Sequence, residues 1–152
     1  MDLILWRHAE AEEDAPGGDD LQRALTPRGE KQAARVVTWL DRQLPEGVRI
    51  LCSPALRCEQ TVLPLGRKYK VRSELAPGAM PQAILEAAQW PDAKHAVLVI
   101  GHQPTLGEAA AMLLGVKGGF AVRKGAVWWF RSRERGGEAQ TVLVAAISPD
   151  VA

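Results

Sequence analysis

Short, unbroken apolar runs recur along the chain, each followed by a stretch with helical spacing. Leu3-Ile4-Leu5-Trp6 and Ala96-Val97-Leu98-Val99-Ile100 contain no polar position. A strand with one wet face alternates; a strand without alternation is covered on both faces, which points to a parallel sheet between helices. Val48 to Cys52, apolar but for Arg49, reads as a third strand, and Lys70 to Ser73 as a weaker one. Thr26-Pro27 reads as an N-cap with proline at the first helical position, and Ala33, Val36, Val37, Leu40 and Leu44 keep helical spacing until Pro45-Glu46-Gly47. Ser53-Pro54 repeats that signal and opens a helix with Ala55, Cys58, Val62 and Leu65 on one face. A helix from Pro81 to Gln89 buries Ile84, Leu85 and Ala88. Thr105 and Glu108 have capping-box spacing ahead of Leu106, Ala109, Ala110, Leu113 and Leu114, with Gly115 as C-cap. Ala126 to Phe130 and Thr141 to Ile147 read as strands joined by the loop Ser132 to Glu138, an antiparallel hairpin. The expectation is an α/β fold with a largely parallel sheet.

The 152 residues contain no internal repeat or linker, so residues 1–152 are expected to form a single domain. Lys plus Arg and Asp plus Glu number 19 and 18, a net charge of +1. That balance argues against nucleic-acid binding through bulk charge and leaves room for a local basic pocket. Cys52 and Cys58 cannot make a disulfide framework, and there is no Cys-x-x-Cys. The first apolar run is too short for a signal-peptide core and follows Asp2; no stretch is long enough to span a bilayer. A soluble, cytoplasmic setting is expected, with no membrane partner.

Ligands of open parallel sheets bind beyond the carboxyl ends of the strands. The residues there are Arg7-His8 after the first strand, Ser53-Pro54 and then Arg57 after the second, Glu74 after the third, and Gly101-His102 after the strongest. Arginine offers a phosphoryl group a planar, permanently charged fork. A neutral histidine beside it can be nucleophile, general base or hydrogen-bond donor, and the arginine charge lowers its pKa. A lone histidine at a strand end is usually structural, but two histidines and two arginines at three strand ends are hard to ascribe to chance. The set suits phosphoryl chemistry without a metal or other cofactor. His95 precedes a strand and belongs to the opposite edge. Cys52 and Arg57 make Cys-x₄-Arg, one residue short of the cysteine-phosphatase loop, so both cysteines are read as structural. Trp128 and Trp129 are read as two faces of one strand, and Arg133, Arg135 and the glycine pair as a solvated loop. The acidic loop Glu10 to Asp20 is a solvated surface, or else repels small phosphates and meets a basic face of a protein. Neither Gly-x₄-Gly-Lys-Ser/Thr nor Gly-x-Gly-x-x-Gly occurs.

Four segments, in order, resemble the histidine phosphatase superfamily, the phosphoglycerate mutase-like proteins. Arg7-His8-Ala9-Glu10 resembles the Arg-His-Gly opening, and Leu25-Thr26-Pro27-Arg28-Gly29-Glu30-Lys31-Gln32-Ala33 the Leu-Thr-x-x-Gly-x-x-Gln-Ala helix start. Ser53-Pro54-Ala55-Leu56-Arg57-Cys58-Glu59-Gln60-Thr61 resembles Ser-Pro-x-x-Arg-x-x-Gln-Thr, and Gly101-His102 the later Gly-His motif. The short length, the Arg-His-Ala-Glu variant and Glu74-Leu75-Ala76-Pro77 make the chain most similar to SixA-type phosphohistidine phosphatases. The resemblance implies a three-layer α/β/α fold with the antiparallel C-terminal hairpin and no large lid insertion. It implies a hydrolase in which His8 is the nucleophile and Arg7, Arg57 and His102 hold the phosphoryl oxygens. Glu74 is the nearest match to the carboxylate that serves as proton donor in the mutase relatives. The implied substrate is the phosphohistidine of a signalling phosphotransfer domain. The alternatives are a small phosphomonoester or, with catalysis lost, a phosphate-binding module. Ala9 stands in place of the usual glycine, so its turn must suit an ordinary residue.

Overall fold

The computed structural model describes all residues, 1–152. Six strands form one sheet: β1 (Asp2–Arg7), β2 (Arg49–Cys52), β3 (Lys70–Val71), β4 (Val97–Gly101), β5 (Val127–Arg135) and β6 (Glu138–Ile147), in the order β3-β2-β4-β1-β5-β6. The first four pair in parallel; β5 and β6 are antiparallel. The helices are α1 (Pro27–Gln43), α2 (Leu56–Val62), α3 (Pro81–Ala88) and α4 (Thr105–Leu114).

The unbroken apolar strands are buried on both faces, as their composition requires. Leu3, Leu5, Val97 and Val99 pack with Ile84 of α3 and Leu106, Ala110 and Leu113 of α4. Ile4, Trp6, Leu98 and Ile100 pack with Val36 and Leu40 of α1 and Cys58 and Val62 of α2. Two cores, one on each side of the sheet, make the α/β/α layers. Trp128 joins the first and Trp129 the second, so the pair does divide between the faces.

Four local expectations are corrected. Ser53-Pro54 does not cap a helix: α2 begins at Leu56 and has no side-chain cap, because the Ser53 hydroxyl is committed elsewhere. Thr105 is inside α4, with Pro104 at the N-cap; its hydroxyl donates to the Ala79 carbonyl at 2.7 Å instead of capping the helix. The loop Ser132 to Glu138 is mostly strand. β5 and β6 continue to a turn at Gly136-Gly137, whose φ values of 63° and 82° require glycine, and Arg133 and Arg135 are exposed strand residues. The weak third strand shrinks to Lys70–Val71.

Thr26 caps α1 as expected, accepting the Gly29 N–H at 2.9 Å. Gly29 faces the chain after β1 so closely that any Cβ would collide with the Glu10 carbonyl. No helix is long and apolar enough to cross a membrane.

Candidate active site

The register of the parallel strands assembles the site. Arg7 of β1 pairs with Gly101 of β4, so His8 and His102 leave the sheet side by side, their ring centroids 5.2 Å apart. Cys52 of β2 pairs with Ile100, which puts Ser53 on the other flank of His102. One turn into α2, Arg57 returns to the same place. A cavity of about 190 Å³ is lined by Arg7, His8, Arg57 and His102, together with Arg23, Lys124, Gln103, Ala11 and Pro77. Four predicted residues therefore share one cavity, and two further cations join them.

Both imidazoles are buried, at 7% and 4% exposure. Burial lowers the His8 pKa to about 4, with the charges of Arg57, Arg7 and Arg23 acting in the same direction. Burial, then the neighbouring His8 and Arg57, lower His102 to about 3. Both rings are neutral at physiological pH. The carbonyl of Ala9 lies 2.7 Å from His8 Nδ1 and can only accept, so it fixes the proton on Nδ1 and leaves a lone pair on Nε2. Nε2 is thus the ring nitrogen free to accept a bond. The Ser53 hydroxyl lies 2.7 Å from His102 Nε2 and accepts the Ala55 N–H at 3.2 Å. The contact fixes the orientation of the His102 ring, with Nε2 turned toward Ser53 and Nδ1 on the other side.

The terminal nitrogens of the arginines are held by the chain. Arg7 Nη1 donates to the Val122 carbonyl at 2.9 Å. Arg57 Nη1 donates to the Asp20 carbonyl at 2.8 Å, and Nη2 to the Asp20 carboxylate at 3.0 Å. The Nε atoms of both arginines are buried with no acceptor. Two unsatisfied charged donors on one small cavity call for an anion, since a buried donor left unpaired is costly.

Glu74 is not part of this arrangement. It lies in a short 3₁₀ turn, and both of its oxygens accept from Arg72 at 2.9 and 2.8 Å. That pairing lowers its pKa, the reverse of what a proton donor needs, and it does not line the cavity. The segment reaches the cavity later, at Pro77. The expected donor role fails because a near neighbour in sequence captures the carboxylate first.

The motif residues that do not touch the cavity brace it. Thr61 accepts the Ala9 N–H at 3.1 Å and donates to the Arg57 carbonyl at 2.7 Å. Gln32 accepts the Glu10 N–H, and Gln60 accepts the Leu25 N–H. Ala9 keeps a negative φ, so an ordinary residue fits there. Cys58, not Cys52, approaches the site, with Sγ 3.5 Å from His102 Nε2; burial pushes its thiol up to about 12, and Cys52 is raised as well. Neither forms a thiolate near neutral pH. His95 is exposed before β4, away from the site.

Sequence reasoning missed Lys124, Arg23 and Asp20. Lys124 had a signal. β5 runs against β1, so the residues before β5, not those after it, lie at the carboxyl edge of β1. Arg23 donates to the Asp20 carboxylate at 2.9 Å, so the two cover Arg57 as a unit.

Comparison with known proteins agrees with this geometry. An uncharacterised protein of Mycobacterium tuberculosis is 35% identical over 101 residues, 65% of this chain and 64% of its own length. The alignment thus spans slightly less than two thirds of that relative. Phosphohistidine phosphatase SixA of Escherichia coli K12 is 34% identical over 122 residues, 74% of each chain. The solved structure of a protein histidine phosphatase SixA complexed with tungstate superposes with a TM-score of 0.78 at 28% identity, over 99% of this chain and 98% of that one. The family model of the histidine phosphatase superfamily, branch 1, matches residues 3–80, which hold β1 with its Arg7-His8 and α2 with its Arg57. On that match, and on the cavity in which His102 completes the set, the chain belongs to the histidine phosphatase superfamily.

Proposed function

We propose that the chain is a metal-independent phosphatase that removes phosphate from phosphohistidine on a phosphotransfer protein. His8 Nε2 attacks phosphorus in line and forms the new N–P bond as the bond to the leaving group breaks. Arg7, Arg57 and His102 bind the equatorial oxygens and offset the charge that builds on them. Water then attacks the phosphorus of phospho-His8, releasing inorganic phosphate and restoring the neutral ring. Lys124 and Arg23 add positive charge at the same cavity.

The observation that carries the substrate class is that no carboxyl at the cavity is suited to donate a proton: none lines it, and Asp20 beside it is paired with Arg23 and Arg57, which hold it below the usual carboxylate range. An alkyl phosphate must leave as an alkoxide and needs an acid. A protonated N-phosphoimidazole leaves as neutral imidazole and needs none. The cavity therefore suits phosphohistidine, and tolerates aryl phosphates with acidic leaving groups. SixA of Escherichia coli, named as a phosphohistidine phosphatase, supports the same reading. A small-molecule phosphomonoesterase is the second reading.

The test is phosphate release in EDTA from a phosphorylated histidine phosphotransfer domain, with para-nitrophenyl phosphate alongside. The wild type should act on the phosphoprotein, His8→Ala should not, and Glu74→Gln should stay within about twofold of the wild type on both substrates. Activity confined to the small ester would move the substrate to small molecules. A large loss in Glu74→Gln would restore that residue as an acid.

A further inference from the structure

Accepting the phosphohistidine reading, we propose that the trough leading from the cavity along α1 docks an acidic segment of the phosphorylated protein. Two clefts, of about 360 and 510 Å³, share Arg28, Gln32, Pro149 and Asp150 and so form one trough. The first also shares Arg7 and Lys124 with the catalytic cavity. A segment lying in the trough would therefore be continuous with a phosphoryl group at His8.

The charge of the trough is one-sided. Arg7, Arg28, Lys31, Arg35, Arg123 and Lys124 line it, against Glu10 and Asp150. In a chain of net charge +1 this excess is local. The two acids quench little of it: Glu10 is 3.8 Å from Arg28 and Asp150 is 3.4 Å from Arg123, and both arginine side chains remain more than 70% exposed. Glu10 also spends one oxygen on the Thr26 hydroxyl.

The lining selects the kind of ligand. Apart from Pro149, which lines both clefts, and Ala34 in the farther one, every lining residue is charged or polar. A lipid or an apolar peptide would gain little from burial there. Arg28, Lys31 and Arg35 follow i, i+3, i+7 spacing, a stripe about 10 Å long on one helix face. That is more than one phosphate can span, and it matches several carboxylates along a helix or extended segment. The exposed acids Glu12, Glu13, Asp14 and Asp19 follow Ala11, which lines the cavity, and none of them lines the trough. An acidic segment is repelled from that loop, which favours the trough as its seat.

The probes are two peptides carrying phosphoryl-triazolylalanine, a phosphohistidine mimic that is not hydrolysed. One has Asp and Glu at helical spacing on one side of the mimic; the other has Asn and Gln. Binding is read by fluorescence anisotropy with the wild type and with Arg28→Gln/Lys31→Gln/Arg35→Gln, all exposed positions. At low salt the wild type should prefer the acidic peptide about tenfold, the sum expected of a few exposed ion pairs. Salt should erode the preference and the triple variant should abolish it, with para-nitrophenyl phosphate hydrolysis unchanged. Equal affinity for the two peptides, or a preference that survives in the variant, would overturn the proposal. Binding does not depend on turnover, so failure of the phosphatase reading would show in the phosphoprotein assay and not here.

Discussion

At the scale of single residues, the chemistry turns on which nitrogen of His8 holds the proton. The Ala9 carbonyl settles that, and burial with three nearby arginines keeps the ring neutral. The sign for activity follows. A nucleophile with a pKa lowered to about 4 stays active as the pH falls through 6.5 and loses its lone pair only near 4. A pH–rate profile on an aryl phosphate, corrected for substrate ionisation, should show kcat/KM level from pH 7 to about 5. Half-loss near 6.5 would contradict it. Asp20 supplies a second prediction. Its carboxylate occupies one nitrogen of Arg57 and is held below the usual carboxylate range by Arg23 and Arg57. It therefore competes with phosphate for the same guanidinium. Asp20→Asn removes that charge and keeps the shape, so inhibition by inorganic phosphate should tighten a few-fold. Weaker inhibition would mean that the carboxylate serves to position Arg57.

Among the elements, the approach of α1 to the chain after β1 is the most demanding contact. Gly29 sits against the Glu10 carbonyl with no room for a methyl, while Gln32 holds the Glu10 N–H one turn later. Gly29→Ala would gain helix propensity but must push α1 off this loop. The collision is with backbone, which cannot rotate away, so the net effect should be a loss of about 1–3 kcal/mol. For a chain of this length that lowers Tm by roughly 2–12 °C by differential scanning calorimetry. Because Glu10 follows Ala9, phosphate affinity should weaken along with stability. Gln32, Gln60 and Thr61 act at the same scale. Each ties a backbone group of one loop to a helix, and none touches the cavity.

For the molecule as a whole, the two neutral histidines carry a stability cost in acid. Both have folded pKa values below the unfolded value of about 6.5. The unfolded chain therefore binds more protons between that pH and about 4, and stability falls as pH falls through this window. The loss should be on the order of 2 kcal/mol for one such histidine by pH 4.5. Urea unfolding at pH 7 and pH 4.5 should show a smaller drop for His8→Gln than for the wild type. An equal drop would place the acid sensitivity elsewhere. The uneven charge is also a whole-molecule property. Exposed acids in the loop after β1 and bases along α1 coexist in a nearly neutral chain.

Much of this was legible before any coordinates. Unbroken apolar runs can be satisfied only by strands covered on both faces, so β1 and β4 and their helical layers follow from composition and period. Since parallel strands release their following residues at one edge, Arg7-His8, Arg57 and Gly101-His102 were legible as a set. What local sequence could not decide was competition between partners. Ser53 and Thr105 carry cap-forming hydroxyls, but His102 and the Ala79 carbonyl lie nearer in the folded chain. Glu74 follows a strand like the residues that line the cavity, yet Arg72 holds its carboxylate outside it. Lys124 and Asp20 reach the site from segments far from its motifs, through the antiparallel entry of β5 and the fold-back of the acidic loop. A hydrogen bond goes to the partner that packing brings within 3 Å, and distance along the chain says little about which partner that is.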